Sequence, residues 1–182
     1  MTDTDPSTAR QDLRLQFRTA CPADGAALWR LVKATGTLEL NSAYFYLVFA
    51  TDFGDTCLVA EYDGDLVGTV IGYRPPRHPD HAFVWQVGVL PALRGQGLGR
   101  RLLDEWRALP ALQDCRWLTA TVSPGNEASR ALFTGFARLH GVGCTEVPHF
   151  DSADFPVDHP PEPLLRIGPF AAGAPRRLMH AA

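Results

Sequence analysis

Six consecutive residues combine glycine spacing and positive charge in a pattern that suits anion binding. They read Arg94-Gly95-Gln96-Gly97-Leu98-Gly99 and join an alternating apolar run to a helical repeat. Glycines at such a junction let backbone N–H groups approach an anion without interference from a Cβ atom, and the helix start adds positive potential. Arg94 can add a charge-assisted bond. The pattern predicts a phosphate-binding loop, with a tight packing turn as the alternative.

Two other phosphate motifs fit the spacing less well. A dinucleotide fingerprint needs G-x-G-x-x-G and an acidic residue at the end of the following strand. The cluster here is R-G-x-G-x-G, and the next predicted strand ends on Thr121-Val122-Ser123 without an acid. A P-loop is excluded because the cluster lacks Gly-Lys-Ser/Thr. The spacing therefore favours a phosphate-bearing ligand of another kind.

The elements that must position this loop follow from hydrophobic periodicity. Residues 83–89 are apolar at period two, which predicts a strand that leads directly into the loop. Leucine and tryptophan recur at helical spacing over 98–109, which predicts an amphipathic helix after it. The order predicts one α/β domain with a mixed sheet. The remaining predicted elements are a strand near 13–17, helices over 19–36 and from 41, strands over 56–62, 66–73 and 116–122, a helix over 126–139, and extended pieces around a proline-rich loop within 144–170.

Composition limits the class of protein. The chain has 182 residues and is 46% hydrophobic, which suits one domain with a buried core. Its formal net charge of −3 does not favour binding to nucleic acid or to an anionic membrane. We predict a disordered tail over 1–12, a domain over 13–170 and a flexible tail over 171–182. The polar N-terminus predicts no signal peptide, and no apolar run would span a bilayer. A cytoplasmic protein with reduced cysteines is expected, at positions Cys21, Cys57, Cys115 and Cys144.

Two motifs together resemble the GNAT acetyltransferase family. Residues 94–99 resemble its Arg/Gln-x-x-Gly-x-Gly/Ala motif, and residues 121–129, Thr-Val-Ser-Pro-Gly-Asn-Glu-Ala-Ser, resemble its second motif. The resemblance implies a single GNAT-like α/β domain: a mixed, mostly antiparallel sheet with a splayed parallel pair, covered by helices on both faces. It also implies acetyl-CoA as co-substrate, without a metal. The implied coenzyme contacts are the backbones of Val87 and Val89, the loop residues Arg94, Gly95, Gln96, Gly97 and Gly99, and Asn126 and Ser129, where Asn126 also suits a helix N-cap.

Other segments resemble a narrower group, the L-2,4-diaminobutyrate N-acetyltransferases of ectoine biosynthesis. They are Leu38–Leu47, Gly72–Pro76, Phe83–Val87 and Leu165–Phe170, and the similarity extends over about residues 13–170. This resemblance implies transfer of acetyl to the γ-amino group of L-2,4-diaminobutyrate, in a homodimer. A GNAT enzyme acting on another small amine and a non-catalytic acyl-CoA-binding sensor are the alternatives.

The same resemblance implies a set of acceptor-side residues. They are Glu39, Tyr44, Trp85, His159 and Glu162, of which Glu39 and Glu162 bind the ammonium group and receive its proton. Glu39 stands where the family usually carries aspartate. Trp85 also fits a core position on one strand face with Val87 and Val89, and Arg74 fits either a carboxylate partner or a surface loop. The usual tyrosine acid is replaced by Phe133, so Tyr44 is the candidate donor to the leaving thiolate.

Overall fold

A computed structural model of the chain describes residues 15–171. These residues form a seven-stranded sheet in the order β1-β2-β3-β4-β5-β7-β6. The strands are β1 (Gln16–Thr19), β2 (Leu58–Tyr62), β3 (Asp65–Tyr73), β4 (His81–Val89), β5 (Trp117–Thr121), β6 (Gly143–Phe150) and β7 (Glu162–Gly168). The α-helices are α1 (Gly25–Thr35), α2 (Ala43–Asp52), α3 (Leu98–Arg107) and α4 (Glu127–Leu139).

Every neighbouring pair of strands is antiparallel except β4 and β5. This parallel pair is short, because only residues 81–83 of β4 pair with residues 117–119 of β5. β4 continues to Val89 and β5 turns to its other neighbour, β7, so the two strands diverge. The splayed parallel pair that the resemblance implied is present.

Helices cover both faces of the sheet. α1 and α2 bury Leu28 and Tyr46 against one face, whereas α3 and α4 bury Trp106 and Phe136 against the other. Each cluster removes a continuous apolar surface from water, which is the main stabilising contribution to such a layered domain. The predicted fold class is therefore confirmed.

Local sequence signals set the ends of the first two helices. α1 ends at Gly36, whose left-handed φ of +66° lets its N–H donate to the Lys33 carbonyl. α2 begins after Ser42, whose Oγ accepts from the Phe45 N–H. Glycine and serine are residue types typical of a helix end and of a helix N-cap, respectively. They fix the length of the connection that carries Glu39.

β4 contains a β-bulge at Trp85. The register of β3 against β4 shifts between Ile71 and Gly72, so Trp85 has no residue opposite it. An unpaired extra residue shifts the alternation of side chains between the two faces by one position.

Because of the bulge, Trp85 and Gln86 lie on the same face. Trp85 packs beside Phe45 of α2, and Gln86 bonds to Tyr46 of the same helix. Val87 and Val89 pack instead against the cluster under α3 and α4. The period-two pattern placed Trp85 on one face with these two valines, and that prediction is wrong because an inserted residue leaves no mark in apolar alternation.

The end of the domain also differs from expectation. Residues 143–168 form two paired antiparallel strands, β6 and β7, where the pattern gave only short extended pieces. β6 is an edge strand whose side chains are mostly exposed, so it lacks the apolar alternation that marks a half-buried strand. The predicted tail over 1–12 lies outside the described residues, and so does the predicted tail over 171–182 apart from Ala171. Within residues 15–171, no helix has the length and apolarity that crossing a membrane requires.

Candidate active site

The predicted phosphate loop is an open turn lined by backbone amides. Gly95 and Gly97 have φ angles of +75° and +81°, a region that side chains other than glycine rarely adopt. A Cβ atom at either position would meet no atom within 4 Å, so these glycines border open space. Within the described part of the chain, the N–H groups of residues 95–100 donate to no other group. With the start of α3 directly behind them, they form a cradle for an anion.

The two polar side chains of the loop bond back to the protein. The Arg94 guanidinium donates to the Thr35 carbonyl at the end of α1, to Thr37 Oγ1 and to the Val89 carbonyl. Gln96 Nε2 donates to the Ala92 carbonyl at 3.1 Å. The contribution of these residues to a phosphate site therefore comes from their position in the loop rather than from the ends of their side chains.

The splayed strands open a slot beside this loop. Beyond Phe83, the edge of β4 that faces β5 has no strand partner, and the open stretch includes Val87 and Val89. Backbone N–H and C=O groups along such an edge are free to bond an extended ligand. The slot leads directly into the amide cradle, because β4 ends where the loop connection begins.

Asn126 and Ser129 lie on the other side of the slot, at the start of α4. Asn126 caps this helix, because its Oδ1 accepts from the Ser129 N–H at 3.1 Å. α4 passes close to the cradle: a Cβ atom on Gly99 would lie 3.6 Å from Leu132 Cδ1. Asn126 is therefore an N-cap residue, and its side-chain NH₂ donates to no described partner, so the N-cap is compatible with a contact to the coenzyme.

Trp85 belongs to β4, and the backbone of Glu39 is hydrogen-bonded to the next residue of the same strand, Gln86. Trp85 is 47% exposed, and its ring centroid is 5.6 Å from that of Phe45 and 6.4 Å from that of Phe49. Its side chain is therefore not part of the core. Glu39 has an exposed carboxylate, while its backbone carbonyl accepts from Gln86 Nε2 at 2.7 Å. Gln86 follows Trp85 directly, so one bulge places both residues.

Glu162 is the first residue of β7 and lies beside the C-terminal end of β5. Its Oε1 accepts from Ser123 Oγ, and the adjacent Pro163 carbonyl accepts from the Val122 N–H at 3.1 Å. Ser123 follows the last residues of β5, where β5 has already separated from β4. The Glu162 carboxylate is therefore held beside the β5 side of the slot.

The remaining predicted site residues are not brought into contact with these groups. Tyr44 is 74% exposed in the first turn of α2, and no described side chain bonds its hydroxyl. His159 stacks on Phe155 at 4.0 Å and directs Nδ1 to the Pro160 carbonyl at 2.7 Å. Arg74 bonds Asp114 at 2.9 Å together with nearby carbonyls, so it is a loop residue as in the second alternative.

The buried thiols do not supply a nucleophile. Burial raises the pKa of the Cys57 thiol to about 11, and it also raises the pKa values of the Cys115 and Cys144 thiols. A thiol with a raised pKa stays protonated near neutral pH and is a weak nucleophile. Within residues 15–171, no three metal-ligating side chains converge on one point.

Similarity to known proteins agrees with this geometry. Residues 26–136 match the family described as the acetyltransferase (GNAT) family. The chain belongs to the GNAT acetyltransferase family. An L-2,4-diaminobutyric acid acetyltransferase of Nocardia farcinica is 45% identical over 148 residues, which span 81% of this chain and 77% of the relative. The enzyme of the same name from Shouchella clausii is 42% identical over 147 residues, spanning 80% and 82%.

A solved GNAT structure is also similar over most of the chain. It is the diaminobutyrate acetyltransferase of Paenibacillus lautus, in complex with its substrate L-2,4-diaminobutyric acid and coenzyme A. The two folds agree with a TM-score of 0.82 at 38% sequence identity, over 89% of this chain and 99% of the other.

Phe133 occupies the GNAT position for which the resemblance implied a tyrosine. Its side chain is 4% exposed and packs in the cluster under α3 and α4. A phenyl ring has no proton to donate. This position therefore stabilises the fold and does not protonate a leaving group.

Sequence reasoning missed three polar residues that bond beside predicted site residues. Tyr46 and Gln86 are buried and bond each other at 3.3 Å, and Ser123 bonds Glu162. Tyr46 stands in an apolar run, and Gln86 is a polar residue within the apolar alternation of residues 83–89. Each partner is about 40 residues away along the chain, so no local pattern could pair them.

Proposed function

We propose that the protein transfers an acetyl group from acetyl-CoA to the γ-amino group of L-2,4-diaminobutyrate. The product is Nγ-acetyl-diaminobutyrate, the intermediate of ectoine biosynthesis that the resemblance implied. The observation that carries the proposal is the 38% identical Paenibacillus lautus structure, which contains both that amino acid and coenzyme A. The cradle, the slot, the exposed Glu39 and the partly buried Glu162 of this chain fit such a pair of ligands.

The cradle and the slot are proposed to hold the coenzyme. The free amides at residues 95–100 suit a pyrophosphate, and the open edge at Val87 and Val89 suits the amide groups of a pantetheine arm. Asn126 and Ser129 line the opposite side. When bound, the thioester supplies an acyl group activated for attack. Backbone N–H groups near Val87 are placed to polarise its carbonyl.

Two carboxylates are proposed to prepare the acceptor amine. A free primary amine of this kind has a pKa of about 10.4, so only about one molecule in a thousand is neutral at pH 7. Glu39 and Glu162 attract the ammonium group, and one of them accepts its proton directly or through water. The neutral nitrogen then forms the new C–N bond as the C–S bond breaks, and the nitrogen releases its second proton to water as the amide forms. Trp85 supplies an apolar wall for the short methylene stem, and His159 belongs to the loop proposed to close over it.

The leaving thiolate takes its proton from Tyr44 or from water. Phe133 cannot supply it, whereas the Tyr44 hydroxyl is exposed and without a bond to the described chain. A thiolate has a conjugate acid of pKa near about 8.5, so protonation by water is sufficient at neutral pH. Tyr44→Phe separates the two routes: an unchanged kcat assigns the proton to water.

Thiol release across a panel of amines tests the proposed function. L-2,4-diaminobutyrate should support turnover at a kcat/KM at least tenfold above that of ornithine, lysine or a peptide N-terminus. The product should carry the acetyl group on the γ nitrogen, as read by NMR. Equal turnover of all amines would favour a broader GNAT acetyltransferase. Saturable acetyl-CoA binding without acetylation of any amine would favour a sensor.

We also propose that two copies of the chain associate through the β6 end of the sheet. β6 is an edge strand, and Phe150 at its end is 47% exposed. An exposed edge strand that ends in an exposed aromatic side chain is a frequent site of association. Sedimentation equilibrium should give twice the 19.9 kDa chain mass, and a single-chain mass at micromolar concentration would refute the dimer.

A cytoplasmic location is proposed on the basis of the cysteines. All four are free, and their separation leaves none in a disulfide. Reduced thiols are the usual state in a reducing compartment. The net charge of −3 supports no nucleic-acid or anionic-membrane partner. Fractionation of cells that produce the protein tests the location.

A further inference from the structure

A buried polar network lies directly behind Glu39. Tyr46 is 0% exposed and Gln86 is 6% exposed, yet both carry polar groups. The Tyr46 hydroxyl donates to Gln86 Oε1 at 3.3 Å and accepts from the Asn41 N–H at 3.3 Å. Gln86 Nε2 donates to the Glu39 carbonyl at 2.7 Å.

The network fixes the connection between α1 and α2 at two points. The Glu39 carbonyl and the Asn41 N–H lie on either side of Leu40, and both are bonded to side chains anchored elsewhere. Gln86 is anchored by β4 and Tyr46 by α2, each inside a packed layer. An otherwise exposed connection therefore takes its position from the sheet.

These bonds satisfy polar groups that would be costly to bury alone. A buried amide or hydroxyl without a partner loses its hydration and gains nothing in return. An apolar pair at positions 46 and 86 would fill the same space without that constraint. Polar side chains here do something that packing cannot: they fix the backbone next to an exposed carboxylate.

We propose that Tyr46 and Gln86 are positioning residues that set the location of the Glu39 carboxylate relative to Trp85. The inference rests on the proposed function, because it assigns Glu39 to the acceptor ammonium. Gln86 and Trp85 are consecutive residues at the bulge, so one distortion of β4 sets both the wall and the anionic partner. The spacing between them defines the length of amine that fits, and a displacement of about 1 Å is enough to cost a large part of the rate.

Tyr46→Phe tests the network because it removes one hydroxyl and keeps the ring. We expect the KM for L-2,4-diaminobutyrate to rise about tenfold, while the KM for acetyl-CoA stays within twofold. Preference over ornithine should fall, since a looser carboxylate accommodates a longer amine. Tyr62→Phe is the matched control, because the Tyr62 side chain packs on the other cluster and its hydroxyl makes no described bond. Gln86→Met provides a second variant of similar size and should give the same pattern.

A double-mutant cycle shows whether Tyr46 acts through Glu39. In a Glu39→Gln background, Tyr46→Phe should change the acceptor KM by less than twofold. Equal effects in both backgrounds, or an equal rise in the KM for acetyl-CoA, would overturn the inference.

Hydrogen exchange tests the positioning without any substrate. The Asn41 amide should exchange at least tenfold faster in Tyr46→Phe than in the wild type or in Tyr62→Phe, and unchanged exchange would overturn the inference. The proposed function fails separately, if the wild-type protein does not acetylate L-2,4-diaminobutyrate.

Discussion

At the scale of single residues, Glu162 and Ser123 show how a neutral hydroxyl can orient a carboxylate. The Ser123 hydroxyl engages one oxygen of Glu162, which leaves the second oxygen for another partner. Glu162 lies at the start of β7, and Ser123 follows β5, so two neighbouring strands hold the pair. A carboxylate fixed in this manner presents one defined face to an incoming ammonium group.

We predict different kinetic effects for these two residues. Glu162→Gln should lower kcat about 100-fold, because an amide of similar shape cannot accept the proton. Ser123→Ala should lower kcat about three- to tenfold, because the carboxylate remains but loses its orientation. Steady-state kinetics with saturating acetyl-CoA measure both. A full-rate Glu162→Gln enzyme would exclude Glu162 as the base.

At the scale of elements, the cradle depends on the path of the chain between β4 and α3. Gly97 is the N-cap residue of α3, with a left-handed backbone and open space where a side chain would stand. Gly64, in the hairpin between β2 and β3, has a similar φ of +86° and equally open surroundings. The two glycines therefore share the same backbone demand, but only one borders the cradle.

Substitutions at Gly97 and Gly64 therefore distinguish an effect on coenzyme binding from the effect of backbone strain. Gly97→Ala and Gly64→Ala should each destabilise the fold by about 1 kcal/mol, because alanine is disfavoured at positive φ. Only Gly97→Ala should raise the KM for acetyl-CoA, by tenfold or more, and Gly97→Trp should abolish binding. Urea unfolding and steady-state kinetics give the two readings. Equal KM values for the two alanine variants would remove the loop from the coenzyme site.

At the scale of the whole molecule, an ion cluster at the β1 edge contributes stability that depends on pH. Arg18 bonds Asp24 through two bonds of 2.7 and 2.8 Å and bonds Glu61 at 2.6 Å. The Arg18 hydrogen bonds lower the pKa of Asp24 from its ordinary 3.8 to about 2. A carboxyl with a depressed folded pKa stabilises the fold above its unfolded pKa, and this stability is lost as the pH falls through the folded value.

Asp24→Asn should therefore destabilise the protein by about 1–2 kcal/mol at pH 7, after allowance for the partial exposure of Arg18. The difference from wild type should shrink as the pH falls from 4 towards 2. Urea unfolding across that range measures it. Asp114→Asn breaks a pair whose carboxylate is 70% exposed, so it should cost under about 1 kcal/mol at every pH. A pH-independent cost at Asp24 would assign its role to packing.

Much of this molecule follows from its sequence, and the exceptions have physical causes. The helices and central strands follow from apolar periodicity, and the loop follows from its glycines. The bulge at Trp85 does not follow from the sequence. The apolar alternation of β4 would look the same with or without an unpaired residue opposite β3. The Tyr46–Gln86 network joins residues 40 positions apart, and only the folded sheet brings them together. The roles of the five proposed acceptor residues came from the resemblance, because a periodic pattern predicts which face a side chain occupies but not which ligand it binds.

The three paired positions between β4 and β5 have a mechanical consequence. They are the only strand pairing described between the half of the sheet with β1–β4 and the half with β5–β7. A sheet resists shear through its ladder of hydrogen bonds, so its stiffness is lowest along this line. An extended ligand that hydrogen-bonds to the facing edges of both β4 and β5 would connect the two halves of the sheet where the strands themselves are not paired. A bound ligand of this kind would therefore make the sheet more rigid. We expect the protein without ligand to be the most flexible form.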